Sequence, residues 1–338
     1  MLRNISRTIA ASAMSLFLLT SIATAQVKVD PKIPEYKPTQ GVSGSIKSVG
    51  SQTLSNLMTM WLEGFKAAYP GVTTAIEAKG SGSAPPALTA GTASFGPMSR
   101  TMKVQEIAEF DKARGYKPTG IPVAIDMLSV YVHKDNPLAS LTLAQVDAIF
   151  SKQRSRGHDT DIARWRDLGL TGEWADKPIS IYGRDSASGT YEFFKEFALS
   201  KGDFKDTVKQ MGGTAAVVQA VGSEKYGIGY GGFGAVTADV RAVPLAVDAK
   251  STPIAPTAEN AYTGTYPMWR FLYIYVDYKP GSQLDPLRLE FLKYVLSQNG
   301  QRDVIKDGYF PLTAPLVKNG LKALGVVLPE PAELPKHD

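Results

Sequence analysis

The 338 residues include no cysteine, so disulfides, thiolate metal sites and a lipid-modified N-terminal cysteine are excluded by count. Histidine is nearly as scarce, with only His133, His158 and His337. A serine hydrolase needs a base within reach of its nucleophile. Yet His133 sits between an apolar run and KDNP, His158 in a charged loop and His337 in the terminal tail, none of them beside a G-x-S-x-G elbow. H-E-x-x-H and P-loop patterns are also missing, and no Rossmann glycine pattern sits between a strand and a helix, so the expectation is a non-enzyme without metal or cofactor. Charge bias is small: the net +5 is scattered, as in RSRGHDTDIARWRD, which argues against a nucleic-acid partner. Beyond residue 25 no run approaches the ~20 apolar residues of a membrane span.

What is present begins with MLRNISRTIAASAMSLFLLTSIATAQ. Arg3 and Arg7 precede a short apolar stretch that ends in Ala23-Thr24-Ala25, the pattern of a cleaved secretory signal over 1–25. An uncleaved anchor is the rival reading. Serines and threonines interrupt the apolar part, and a polar, Pro-rich segment follows it, which favours cleavage and a soluble exported chain that does not insert in the membrane. Losing Arg3 and Arg7 lowers the net charge to +3. That residual field favours an anionic over a cationic ligand. Export without disulfides calls for an ordinary hydrophobic core, and the 313 residues from Gln26 onward suffice for two domains.

Residues 26–43 are rich in Pro, Lys and Gly and read as an extended, partly disordered lead-in. SIKSVGS then reads as a strand, and LSNLMTMWLEGFKAAYP places Leu54, Leu57, Met58, Trp61, Leu62 and Phe65 at helical spacing up to Pro70. Strand and helix patterns alternate from there, with SFGPMS as a loop. Such alternation predicts an α/β fold. The apolar runs VAIDMLSVYV and MWRFLYIYV are either core strands of one sheet or the two passages of a chain that leaves one domain, builds a second and returns. Aromatics in GIGYGGFG, Tyr230 among them, read as core packing.

Three Ser/Gly/Thr-rich turns lie between strand and helix patterns: GSQTLSN at 50–56, GSGSAPP at 80–86 and GRDSASGT at 183–190. FGPMSR at 95–100 adds Ser99 and Arg100. A single such turn is ordinary capping. Several together, one carrying Arg184, suggest more: helix N-termini offer unpaired N–H groups, glycine permits close approach, and a guanidinium gives two parallel donors to an oxyanion.

These stretches, GSQTL, AKGSGSAPPAL, SFGPMSR and GRDSASGTYEFFKE in that order, resemble the periplasmic phosphate-binding subunit of ABC phosphate importers, the PstS family, from about Gly44 to the C-terminal helices. The resemblance implies a two-lobed α/β venus-flytrap fold with two hinge crossings. Lobe 1 would comprise 44–125 and 268–338, lobe 2 126–267, with inorganic phosphate held between them. By position it implies Thr53 and Leu54 in the first turn, Ser81 in the second, and Arg184, Ser188, Gly189 and Thr190 in the third. Ser99 falls where many members carry an aspartate that rejects sulfate, and Ser186 where the family's acidic partner of the arginine stands. Asp126 and Asp185 are candidate substitutes for either acid. The resemblance further implies a periplasmic monomer that serves a membrane permease. Another oxyanion, or an adhesive, signalling or phosphatase-like relative on the same fold, is the alternative.

Overall fold

The computed structural model describes residues 27–326, so the expected signal at 1–25 and His337 lie outside the described residues. The chain builds β1 (Ser45–Val49), α1 (Ser55–Ala68), β2 (Thr73–Glu77), α2 (Ala84–Thr89), β3 (Gly96–Met98), α3 (Val104–Arg114) and the long β4 (Thr119–His133). There follow β5 (Leu141–Thr142), α4 (Leu143–Phe150), β6 (Ser180–Arg184), α5 (Gly189–Phe197), β7 (Lys209–Met211), α6 (Thr214–Ser223), β8 (Gly227–Gly232), β9 (Val240–Ala242), β10 (Leu245–Ala246) and α7 (Ala258–Tyr262). The last described elements are β11 (Trp269–Val276), α8 (Pro286–Val295), α9 (Gln298–Lys306) and α10 (Ala314–Ala323).

The 15 residues of β4 organise everything else. Eleven of them are buried, which is why the segment reads as a largely apolar run. Thr119–Met127 pair antiparallel with β11, whose far end pairs with β3. From Leu128 onward the partners change to β8 and β9, and β6 and β7 continue in parallel beyond β8. One seven-stranded sheet, ordered β3-β11-β4-β8-β6-β7 with β9 also on β4, therefore runs through both halves of the molecule. A parallel β1–β2 pair is joined to β3 by the Ser48–Phe95 bridge. The apolar face of α1, Leu57, Met58, Trp61, Leu62 and Phe65, is buried in the main core as its spacing predicts.

Two expectations change. SFGPMS contains a strand, β3, because its three central residues find pairing partners on β11. The lead-in is extended, but it is held against the rest of the chain. Ile33 is buried, the Tyr36 hydroxyl donates to Glu290 Oε2 at 2.8 Å, and Asp30 Oδ2 accepts from the Ala314 amide at the start of α10 at 2.9 Å. Ile33→Ala should accordingly lower unfolding stability by about 2 to 5 kcal/mol, read from a urea titration; a disordered lead-in would leave the midpoint unmoved.

Candidate functional site

The three turns and the Ser99 loop converge beside the place where β4 changes partners. On the β1–β3 side, the turn into α1 is pinned by the Ser51 amide donating to Pro97 O at 2.8 Å, while Ser51 Oγ takes the Thr53 amide at 3.1 Å. No side chain caps α1, whose entry is formed by Leu54. Ser81 Oγ accepts from the Ser99 amide at 3.0 Å and lies 3.3 Å from Ser99 Oγ, so the second turn and the β3 loop present adjacent hydroxyls.

On the opposite side β6 delivers Arg184, and the following turn starts α5. Asp185 Oδ1 accepts from the Ala187 amide at 3.0 Å, and Ser188 Oγ accepts from the amides of Thr190 and Tyr191 at 3.1 and 3.4 Å, a side-chain cap of ordinary geometry. The two sides touch directly. Thr53 Oγ1 and Thr190 Oγ1 are 3.0 Å apart, and the Gly82 amide reaches Ala187 O at 3.3 Å. Two glycines permit this approach: a Cβ on Gly80, whose φ is +106°, would overlap the Ala187 carbonyl, and one on Gly189 would overlap the Ser81 hydroxyl. All eight sequence-derived candidates, Thr53, Leu54, Ser81, Ser99, Arg184, Ser188, Gly189 and Thr190, are buried in this one junction.

Arg184 is 1% exposed. Its Nη1 donates to Thr214 Oγ1 at 3.0 Å, its Nη2 to Gln52 Oε1 across the junction, and its Nε has no partner. The side-chain partners are neutral, and among the described residues Arg184 forms no ion pair. Burial pulls the guanidinium below its ordinary value, with Asp185 acting against it. A cation buried without a counter-ion is costly, and an anion docking there removes the cost. Arg100, beside Ser99, is committed to both carboxylate oxygens of Glu106 at 2.7 and 2.8 Å.

Two further charges belong to the junction. Arg270, 5% exposed, donates through Nε and Nη2 to Asp126 Oδ2 at 3.0 and 2.8 Å, and through Nη2 to Thr190 Oγ1 at 2.9 Å. Burial raises the fully buried Asp126 carboxyl, and Arg270 together with the Phe233 and Met127 amides acts in the opposite direction. Asp126 was a candidate partner for Arg184 and instead pairs with Arg270. Arg270 and Gln52 escaped the sequence reading. The signal for Arg270 was present: each of the two long apolar runs holds one charged residue, and these face each other in register across β4 and β11. Neither described histidine joins the site, since His133 Nδ1 accepts from the Asp135 amide and His158 Nδ1 meets Thr160 O. No group of His, Cys, Asp and Glu suited to a metal occurs among the described residues.

This is the architecture of a two-lobed binding protein, and the model of the PBP superfamily domain matches residues 37–299. The chain belongs to that superfamily and, within it, to the PstS family. It is 53% identical over 304 residues to the phosphate-binding protein PstS of Pseudomonas aeruginosa, covering 90% of this chain and 94% of the relative. The phosphate-binding protein PstS of Staphylococcus haemolyticus is 29% identical over 287 residues, covering 84% and 86%. Among solved structures, a putative phosphate ABC transporter substrate-binding protein with bound phosphate from Clostridium perfringens is similar at a TM-score of 0.66 and 26% identity, covering 80% of this chain and 100% of that one.

The buried pair gives a stability prediction. Asp126→Ala, by leaving Arg270 unpaired, should cost about 3 to 5 kcal/mol in chemical denaturation, whereas combining Asp126→Leu with Arg270→Met should recover most of the loss.

Proposed function

We propose that the protein is the substrate-binding component of an ABC phosphate importer, exported by the segment 1–25 to the periplasm, where it captures inorganic phosphate as a monomer and delivers it to a membrane permease. One lobe comprises 44–125 and 268–338 and the other 126–267, with hinges where the chain enters β4's second half and where it approaches β11. No described helix is long and apolar enough to cross a membrane. The observation that carries the reading is Arg184: a buried guanidinium with neutral partners, set among serine and threonine hydroxyls drawn from both lobes. The PstS names of the relatives support the same ligand.

In this reading Arg184 neutralises and orients the anion. The hydroxyls of Thr53, Ser81, Ser99, Ser188 and Thr190 donate to its oxygens, and the amides of Leu54 and Gly189 complete the shell. The Thr190 amide contributes while shared with the Ser188 hydroxyl. Charge-assisted hydrogen bonds are worth about 1.5 to 3 kcal/mol each, so a handful can supply the ~8 kcal/mol of a micromolar site after desolvation. In this reading the site acts by binding, as a set of donors around a charge.

Arg184→Ala should weaken phosphate binding at least about tenfold by calorimetry, the scale of one charge-assisted contact; unchanged affinity removes Arg184 from the site. The purified protein should leave a chromogenic phosphate ester intact, and turnover would point to the phosphatase-like alternative.

A further inference from the structure

One face of β11 takes no part in the anion junction. Trp269, Phe271 and Tyr273 alternate along the strand with the buried Arg270 and Leu272, so their side chains share that face. They line a cavity of about 570 Å³ between the entry of α3, α5 and β11, and none of the residues proposed above for the anion borders it. That volume is within the range of small-molecule sites. Exposed apolar side chains gather around it. Trp269 is 36% and Val104 86% exposed in the lining itself, and Phe197, 38% exposed, borders the adjoining groove that shares Trp269 and Phe193 with the cavity. A cluster of this kind along one concave surface marks an interaction site.

The chemistry of the walls narrows the guest. Trp269 and Phe271 meet edge to face, their centroids 5.3 Å apart at 88°, and Tyr273 continues the row 6.2 Å from Phe271 at 74°. Rings set at right angles make the corner of a box, the arrangement that holds a cation against aromatic faces. The same lining already contains one such contact, since Arg270 Cζ lies 5.3 Å from the ring centroid of Phe193 on α5.

The charges point the same way. Arg100 is engaged by both oxygens of Glu106, and Arg270 by Asp126 Oδ2 and Thr190 Oγ1. The donors these two leave without partners, Arg100 Nε and Arg270 Nη1, are themselves buried and so beyond the reach of a guest. Lys103 Nζ lies 2.9 Å from Glu192 Oε2. One turn further along α5, on the same helix face, Glu196 is exposed and has no ion-pair partner among the described residues. An anion entering the cavity meets no accessible unpaired cation, whereas a cation meets ring faces and a free carboxylate.

We propose that this cavity is a second binding site, separate from the anion junction, for an organic cation: a substituted ammonium carried on a compact apolar ring. Its charge is held between Glu196 and the rings of Trp269 and Phe271, and its apolar body lies against Tyr273 and Val104. The proposal goes beyond the phosphate reading and does not depend on it.

The test is calorimetric titration of the purified protein, Glu196→Gln and Trp269→Leu with benzyltrimethylammonium, benzyl alcohol and benzoate, which share a ring and differ in charge. Trp61, Trp165 and Trp174 are buried, so Trp269 is the tryptophan whose emission reports on the cavity. The wild type should bind the cation at roughly millimolar strength or tighter, with a saturable change in that emission. It should hold the cation at least about threefold more tightly than the alcohol and bind benzoate most weakly. Glu196→Gln should weaken the cation at least about threefold and leave the alcohol unchanged, while Trp269→Leu should weaken both by a similar factor. Both variants should keep the wild-type affinity for phosphate. Folded wild-type protein that shows no saturable binding of the cation, equal affinity for cation and alcohol, tighter binding of benzoate, or Glu196→Gln that binds the cation as the wild type does overturns the proposal. So does a loss of phosphate affinity in either variant, which makes the cavity part of the anion site. A Trp269 signal that follows protein concentration alone, with a dimer in sedimentation, assigns this face to a second copy and overturns it as well. Protein that binds the cation but no phosphate upholds this site and removes the phosphate reading. Should Trp269→Leu fail to fold, the wild type and Glu196→Gln decide the matter.

Discussion

A guanidinium shut away from water with neutral side-chain partners is the constraint around which this molecule is arranged. Burying a full charge costs several kcal/mol even after relaxation. Arg184 is therefore not there for stability. It is the last residue of β6, where pairing with Met211 of β7 fixes its backbone, and its own amide is anchored on Tyr230. Thr214 at the start of α6 and Gln52 before α1 then hold the side chain from opposite sides of the junction. For the anion proposed above, a rigid strand end, two neutral tethers and a ring of hydroxyls form a set of donors oriented in advance.

The second buried cation is treated differently, and the difference is informative. Arg270 receives a carboxylate from directly across the β4–β11 ladder, which converts two isolated charges into one compensated pair. Replacing such a pair by apolar residues is often neutral or stabilising, so its retention speaks for position more than for stability. The pair sits where β4 passes from one set of partners to the other, and Arg270 also reaches Thr190 at the start of α5. It thereby ties the strands that join the lobes to the helix that faces the site.

Much of this could be read in the chain and some could not. GRDSASGT declared itself because an arginine and a Ser-Gly-Thr helix entry sit within a few residues, and the other hydroxyl turns lay at strand-to-helix junctions that periodicity located. α1 was legible because its apolar positions follow the helical period and nothing in the core overrides it. β3, by contrast, is three residues long and exists only through pairing with β11, a contact about 175 residues away in sequence that no local pattern encodes. The same holds for Gln52, an ordinary half-buried turn residue until the fold sets Arg184 beside it. Arg270 lies between these cases: a charge inside an apolar strand is visible, but its meaning depends on the register that puts Asp126 opposite.

Neutral contacts span the junction beside the charge-assisted Arg184–Gln52 and Arg270–Thr190 hydrogen bonds. Thr53 with Thr190 and Gly82 with Ala187 are neutral hydrogen bonds of about 0.5 to 1.5 kcal/mol each. Lys103 and Glu192 add a solvent-facing ion pair at 2.9 Å, of a kind worth about 1 kcal/mol at most. In the binding reading proposed above, these contacts act together with those of the guest on an equilibrium between open and closed settings. A ligand shifts such an equilibrium only by its differential affinity for the two settings. In the proposed reading that difference arises because Thr53, Ser81 and Ser99 lie on one side of the junction and Arg184, Ser188 and Thr190 on the other, and closure brings both sets to the same anion.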